Sequence, residues 1–119
     1  MSIEALKIKN PVRNAEVSAT LQPASEDIWD RKYRLKDKAG NPIDETIDGT
    51  YRRVAQALAE VEPEEQRQHW YERFVWALRN GAIPAGRIIS NAGAQEHKPA
   101  TATINCTVSG TIEDSMLGI

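Results

Sequence analysis

The chain has 119 residues, 40% of them hydrophobic, with 15 Lys and Arg against 17 Asp and Glu for a net charge of −2. That length and apolar share suit one small globular unit and exclude a fibrous or low-complexity chain, while the slightly acidic balance excludes the basic footprint that a phosphate backbone requires. No apolar stretch reaches membrane-span length, the opening MSIEALKIKN is charged where a secretory signal has an apolar core, and His69, His97 and the single Cys106 make no metal-ligand pattern, so the expectations are no nucleic acid, no membrane, no metal held by this chain alone and a cytoplasmic location.

Residues 1–24 are punctuated by Pro11 and Pro23 and keep neither a helix nor a strand period, so they are expected as an irregular arm. Ser25 followed by Glu26 and Asp27 reads as a helix start, with the hydroxyl taking an orphan amide and the carboxylates facing the positive helix end. A short helix to about Tyr33 follows, with Trp29 and Tyr33 one turn apart. In YRLKDKAGNPI, Gly40, Asn41 and Pro42 predict a tight reversal between two short extended pieces.

Ile47, Tyr51, Val54, Leu58 and Val61 recur at steps of four and three, which predicts a helix over about 48–61 with one apolar stripe. Pro63, Glu64 and Glu65 suit a first helical turn and Gly81 a left-handed stop, predicting a second helix over about 63–80. Its Trp70, Tyr71, Phe74, Val75 and Leu78 form a broad face, and Trp76 is also expected to serve packing. The two long helices are expected to run antiparallel and to pack through Tyr51, Val54, Leu58, Trp70, Phe74 and Leu78, leaving Arg53 off the stripe as a surface residue of little consequence for stability.

After Pro84, AGRIISNAGAQEHKPATAT is rich in small residues and is expected as a loop whose backbone approaches something closely. Arg87 is expected to anchor that loop. Ile104, Cys106 and Val108 alternate with Thr103, Asn105, Thr107 and Ser109, which is a strand period. One strand after a helical chain has no sheet to join, and one thiol has no disulfide partner, so both are expected to find partners outside this sequence. Cys106 is then either a small packing residue or a thiol that works with another portion of a larger enzyme.

The segments ASEDIWDRKYRLKDKAGNPIDET, PAGRIISNAGA and NCTVSGTIEDSM, in that order, resemble the amino-terminal region of adenosylcobalamin-dependent, class II ribonucleotide reductases. The resemblance spans residues 22–119. It implies a mainly α region, made of two long antiparallel helices plus a short helix and turn, leading into the first strand of a ten-stranded α/β barrel that is otherwise absent. The implied organisation is an arm over 1–24, a helical domain over 25–82, and a loop with the first barrel strand over 83–119.

The implied activity is conversion of ribonucleotides to deoxyribonucleotides for DNA synthesis by radical chemistry, with adenosylcobalamin held by the missing portion and this chain inactive alone. By position, Cys106 matches one of the two thiols that reduce the ribose, Ser90 and Asn105 fall where substrate is held, and Asp114, Ser115 and Met116 fall where a nucleoside triphosphate effector binds. The implied partners are ribonucleotide substrate, that effector, the remaining reductase portion or a complementing chain, and a thioredoxin-type reductant. Two other functions stay open: a non-catalytic helical module that binds another protein, and a nucleotide-binding regulatory fragment without a redox step. Glu113 and Asp114 are equally well read as solvated surface carboxylates.

Overall fold

The computed structural model describes residues 21–118; the arm expected over 1–24 lies, up to residue 20, outside them. Helix α1, Pro23–Ile28, begins two residues before the expected Ser25 start. Proline at the first position lacks only an amide that would be unpaired there, and its fixed φ favours helix entry, so no side-chain cap is needed. The chain passes directly into one π-helical turn, Trp29–Tyr33, closed by the Arg34 amide on the Trp29 carbonyl at 2.8 Å. The expected reversal is present. Lys36 and Pro42 pair as an antiparallel bridge, and the Asp37 carboxylate accepts from the amides of Ala39 and Asn41, both at 2.8 Å. Gly40 supplies the left-handed step at φ 87°.

Helices α2, Ile47–Ala59, and α3, Glu64–Arg79, fall within two residues of their expected spans. The Thr46 hydroxyl accepts from the Gly49 amide at 3.2 Å and starts α2, while Gly81 at φ 96° follows the end of α3. Arg79, at the end of α3, donates to Asp48, in the first turn of α2, at 2.6 and 2.9 Å, so the two helices run antiparallel. Val54 and Ala55 from α2, Val75 and Leu78 from α3 and Ala92 beyond them are buried together, with Tyr51, Leu58, Tyr71, Phe74 and Ile88 packed around them. The expected packing needs correction on both helices. Val61 lies past the last turn of α2 and is 83% exposed. Trp70 stacks on Phe74 at 5.7 Å outside the buried cluster, and Trp76 is 65% exposed.

One further expectation is corrected. Part of the supposed loop is a helix, α4, Gly86–Asn91, packed against α2 and the π turn. Small residues lower side-chain bulk without forbidding helix, and burial of Ile88 against the core outweighs their weak propensity. The 103–109 stretch, expected to pair as a strand only with partners outside this sequence, is unpaired within the described residues. There is no strand among the described residues, and Ile104, Cys106 and Val108 are all exposed, because a strand period becomes a strand only when a neighbour takes its backbone groups.

The pieces meet at Asp44, which is 4% exposed. Its carboxylate accepts from the Leu35 amide at 3.1 Å, the Thr50 hydroxyl at 2.7 Å and the Arg53 guanidinium at 2.9 Å, and Trp29 Nε1 donates to that same Thr50 hydroxyl at 2.9 Å. Its backbone carbonyl and that of Glu45 accept from Arg34 at 2.7 and 2.9 Å. Burial, the largest single influence, pushes the Asp44 carboxyl up, but the bonds from Arg53, Thr50 and Leu35 together hold it below its ordinary value. Arg53 is therefore no bystander, since it is the charge that allows Asp44 to be buried ionised.

Removing one partner of such a pair strands the other charge. Arg53→Ala should lower unfolding stability by about 3 kcal/mol or more, and Arg52→Ala, whose exposed side chain bonds Asp48, by no more than about 0.5 kcal/mol; urea unfolding of both variants, with similar losses for the two, would disprove the assignment of Asp44 as the hub. A second outcome concerns acid. The hydrogen bond from Arg79 foremost, with Arg52 helping and burial opposing, holds the Asp48 carboxyl at about 2. A carboxyl lowered by folding stabilises the fold above its unfolded pKa and loses that contribution as pH falls through the folded one. With part of the side chain in water, Asp48→Asn should cost only about 1 kcal/mol at neutral pH. In urea titrations the gap to the parent chain should close between about pH 4 and pH 2.

Candidate functional site

Helix α4 is held from three sides. At its end, the Arg53 guanidinium donates to the carbonyls of Ile89 at 2.8 Å and Ala92 at 2.6 Å, filling acceptors that a helix C-terminus leaves open. At its start, Gly86 lies under Tyr33, where an added Cβ would stand 3.2 Å from the ring. After it, Gly93 turns the chain at φ 72°, and a Cβ there would stand 3.0 Å from the Arg53 side chain and 3.1 Å from the Arg53 carbonyl oxygen. The close approach expected of the small residues is thus made to α2, and Ala92 and Ala94 are buried beside it.

Ser90, on α4, donates its hydroxyl to the Lys32 carbonyl at 3.3 Å. The amides of Ala92 and Ala94 donate to Ile88 at 2.9 Å and Asn91 at 3.0 Å, so they are already engaged within the chain. The opposite partners of α4 lie in the following segment. Arg87 donates to the Ile104 carbonyl at 2.9 Å, in keeping with its expected anchoring role, and Asn91 donates to the Ala102 carbonyl at 2.8 Å. The helix carrying Ser90 and the segment leading to Asn105 and Cys106 are in this way brought side by side. Cys106 is a free, exposed thiol.

Asp114, Ser115 and Met116 form a separate turn in which the Ser115 amide donates to the Glu113 carbonyl at 2.8 Å and the Gly118 amide to the Ser115 hydroxyl at 3.0 Å. All three are exposed, Met116 to 90%. On the outer face of α3, a shallow depression of about 290 Å³ is lined by His69, Glu72, Arg73 and Trp76. Among the described residues no three His, Cys, Asp or Glu side chains gather to hold a metal ion, and no helix is long and apolar enough to cross a membrane.

Sequence reasoning missed Arg53 and Asn91. Asn91 had a signal, since Arg87 and Asn91 are four apart with Ile88 and Ile89 between them, a helical period inside a stretch taken for loop. Arg53 had none, because nothing local marks an arginine whose partners lie 9, 36 and 39 residues away.

The family model for the ribonucleotide reductase all-alpha domain matches residues 19–97. No curated protein and no solved structure matches the chain. The matched span takes in the Asp44 hub and helices α1 to α4, while Cys106 and the 114–116 turn follow it. A match over most of the chain, on the helices whose packing is described above, means that the chain belongs to the ribonucleotide reductase all-alpha domain family.

Proposed function

We propose that the chain is the amino-terminal part of a class II ribonucleotide reductase and that Cys106 is one of the two thiols that reduce the substrate ribose. The observation that carries this is the placement of the chain's one cysteine: a free, exposed thiol two residues beyond a carbonyl tethered to the family's helical unit. A packing cysteine would be buried, whereas a reductant must be reached by substrate. In the balanced step, a ribonucleotide and two thiols give a deoxyribonucleotide, water and a disulfide, the two electrons and two protons coming from the thiols. The second thiol comes from a complementing portion of the enzyme, since this sequence has only Cys106.

Ser90 and Asn105 are proposed to face substrate, and Asp114, Ser115 and Met116 to contact a nucleoside triphosphate effector. The 114–116 turn supports the latter by offering a carboxylate for a sugar hydroxyl and an exposed thioether for a base face. In this reading adenosylcobalamin would supply the initiating radical. It is assigned to the complementing portion, and no residue here is given a role toward it. A cytoplasmic setting and a thioredoxin-type reductant to reopen the disulfide complete the proposal.

The test is Cys106→Ser in enzyme reconstituted from the full chain and its complementing portion. Serine keeps the size and removes the disulfide, so deoxyribonucleotide yield should fall about a hundredfold or more, while tritium release from 3′-labelled ribonucleotide, which reports the radical step, should persist. Product near the parent level with the same external thiol supplied would refute the reductant role.

A further inference from the structure

We propose that Arg87 and Asn91 form a two-point clamp that sets the register of the Cys106 segment, which makes them positioning residues for its thiol; their importance to turnover rests on the reductant role proposed above. Their two acceptors, the carbonyls of Ala102 and Ile104, are two residues apart. The chain bends at Thr103, between these two carbonyls, so they are not spaced as on a straight strand. Side chains four apart on a helix share a face and are separated by about 6 Å along its axis. Both bonds are formed at once, and with Arg87 on Ile104 and Asn91 on Ala102 the segment runs antiparallel to α4.

Register follows from the two bonds together. A slip of one residue moves Cys106 by up to about 3.3 Å along the chain and a slip of two by up to about 6.6 Å. Either displacement would take the sulfur out of bonding reach of a partner thiol, which must approach to about 2 Å for a disulfide. The clamp is useful only if α4 is itself fixed. Arg53 fastens its last carbonyls while paired to buried Asp44, and Tyr33 and the Gly93 turn bracket its two ends. Arg87 and Asn91 are thus the last links in a continuous chain of contacts from the core to the thiol segment.

Because Cys106 is the chain's only cysteine, nitroxide labels can be placed on it and on Gln56→Cys, an exposed site of α2, and their distance distribution measured by pulsed dipolar spectroscopy on the full chain. Arg87→Met keeps the aliphatic stem and removes the donor. Asn91→Asp keeps the shape and sets an acceptor against a carbonyl. In the doubly substituted chain the distribution should broaden at least twofold, with helical circular dichroism and urea midpoint unchanged. Arg87→Lys, which retains a donor, should restore the narrow distribution when Asn91 is intact. Equal widths in the parent and doubly substituted chains would overturn the clamp. The distance reports geometry alone, so it fails only if the clamp fails, whereas the reductant role fails only in the product assay.

Discussion

An ionised carboxylate taken out of water must be given back its solvation by the protein, and at Asp44 that demand organises the molecule. Three donors from three parts of the chain converge on it: a backbone amide before the reversal, a hydroxyl in the first turn of α2, and the Arg53 guanidinium farther along α2. Each must arrive in place for the burial to be tolerable, since an incomplete set leaves a charge whose desolvation exceeds any packing gain. The hub therefore specifies geometry more than it adds stability.

The segment that carries the resemblance acquires a physical meaning here. In WDRKYRLKDKAGNPIDET, Trp29 braces Thr50, Arg34 holds the carbonyls of Asp44 and Glu45, Leu35 is buried, Asp37 and Gly40 shape the reversal, Asp44 is the hub and Thr46 caps α2. These residues build and orient the support for α4. The π turn belongs to the same purpose, since its first and last residues make the two aromatic contacts, Trp29 to α2 and Tyr33 to α4.

Arg53 joins this support to the candidate site. One face of its guanidinium neutralises Asp44 and the other holds the C-terminal carbonyls of α4, so the position of α4 depends on the core's charge pair. Helix α4 passes that position on through Arg87 and Asn91. Beyond Ile104 the described chain is exposed, and its apolar residues, Val108 at 101% and Leu117 at 101% exposure, find no cover among the described residues. In the proposed enzyme that surface is where the complementing portion would pair with the 103–109 strand.

What the sequence determined by itself is what depends on near neighbours. Helices α2 and α3, their antiparallel pairing and the reversal at Gly40 were legible because a repeat at three and four, a proline at a helix start and a glycine at a left-handed step act over a few residues. The family was legible for the same reason, through ordered short motifs. Tertiary structure alone decided the role of Arg53, which local pattern marked as surface and which partners in two distant segments, Asp44 and the end of α4, make indispensable. It also decided that RIISN is helical, since burial of Ile88 and the capping by Arg53 come from α2. And it decided that Cys106, despite an alternating pattern that calls for a strand, stands exposed, because a strand's backbone bonds must be supplied by a neighbour and alternation cannot provide one.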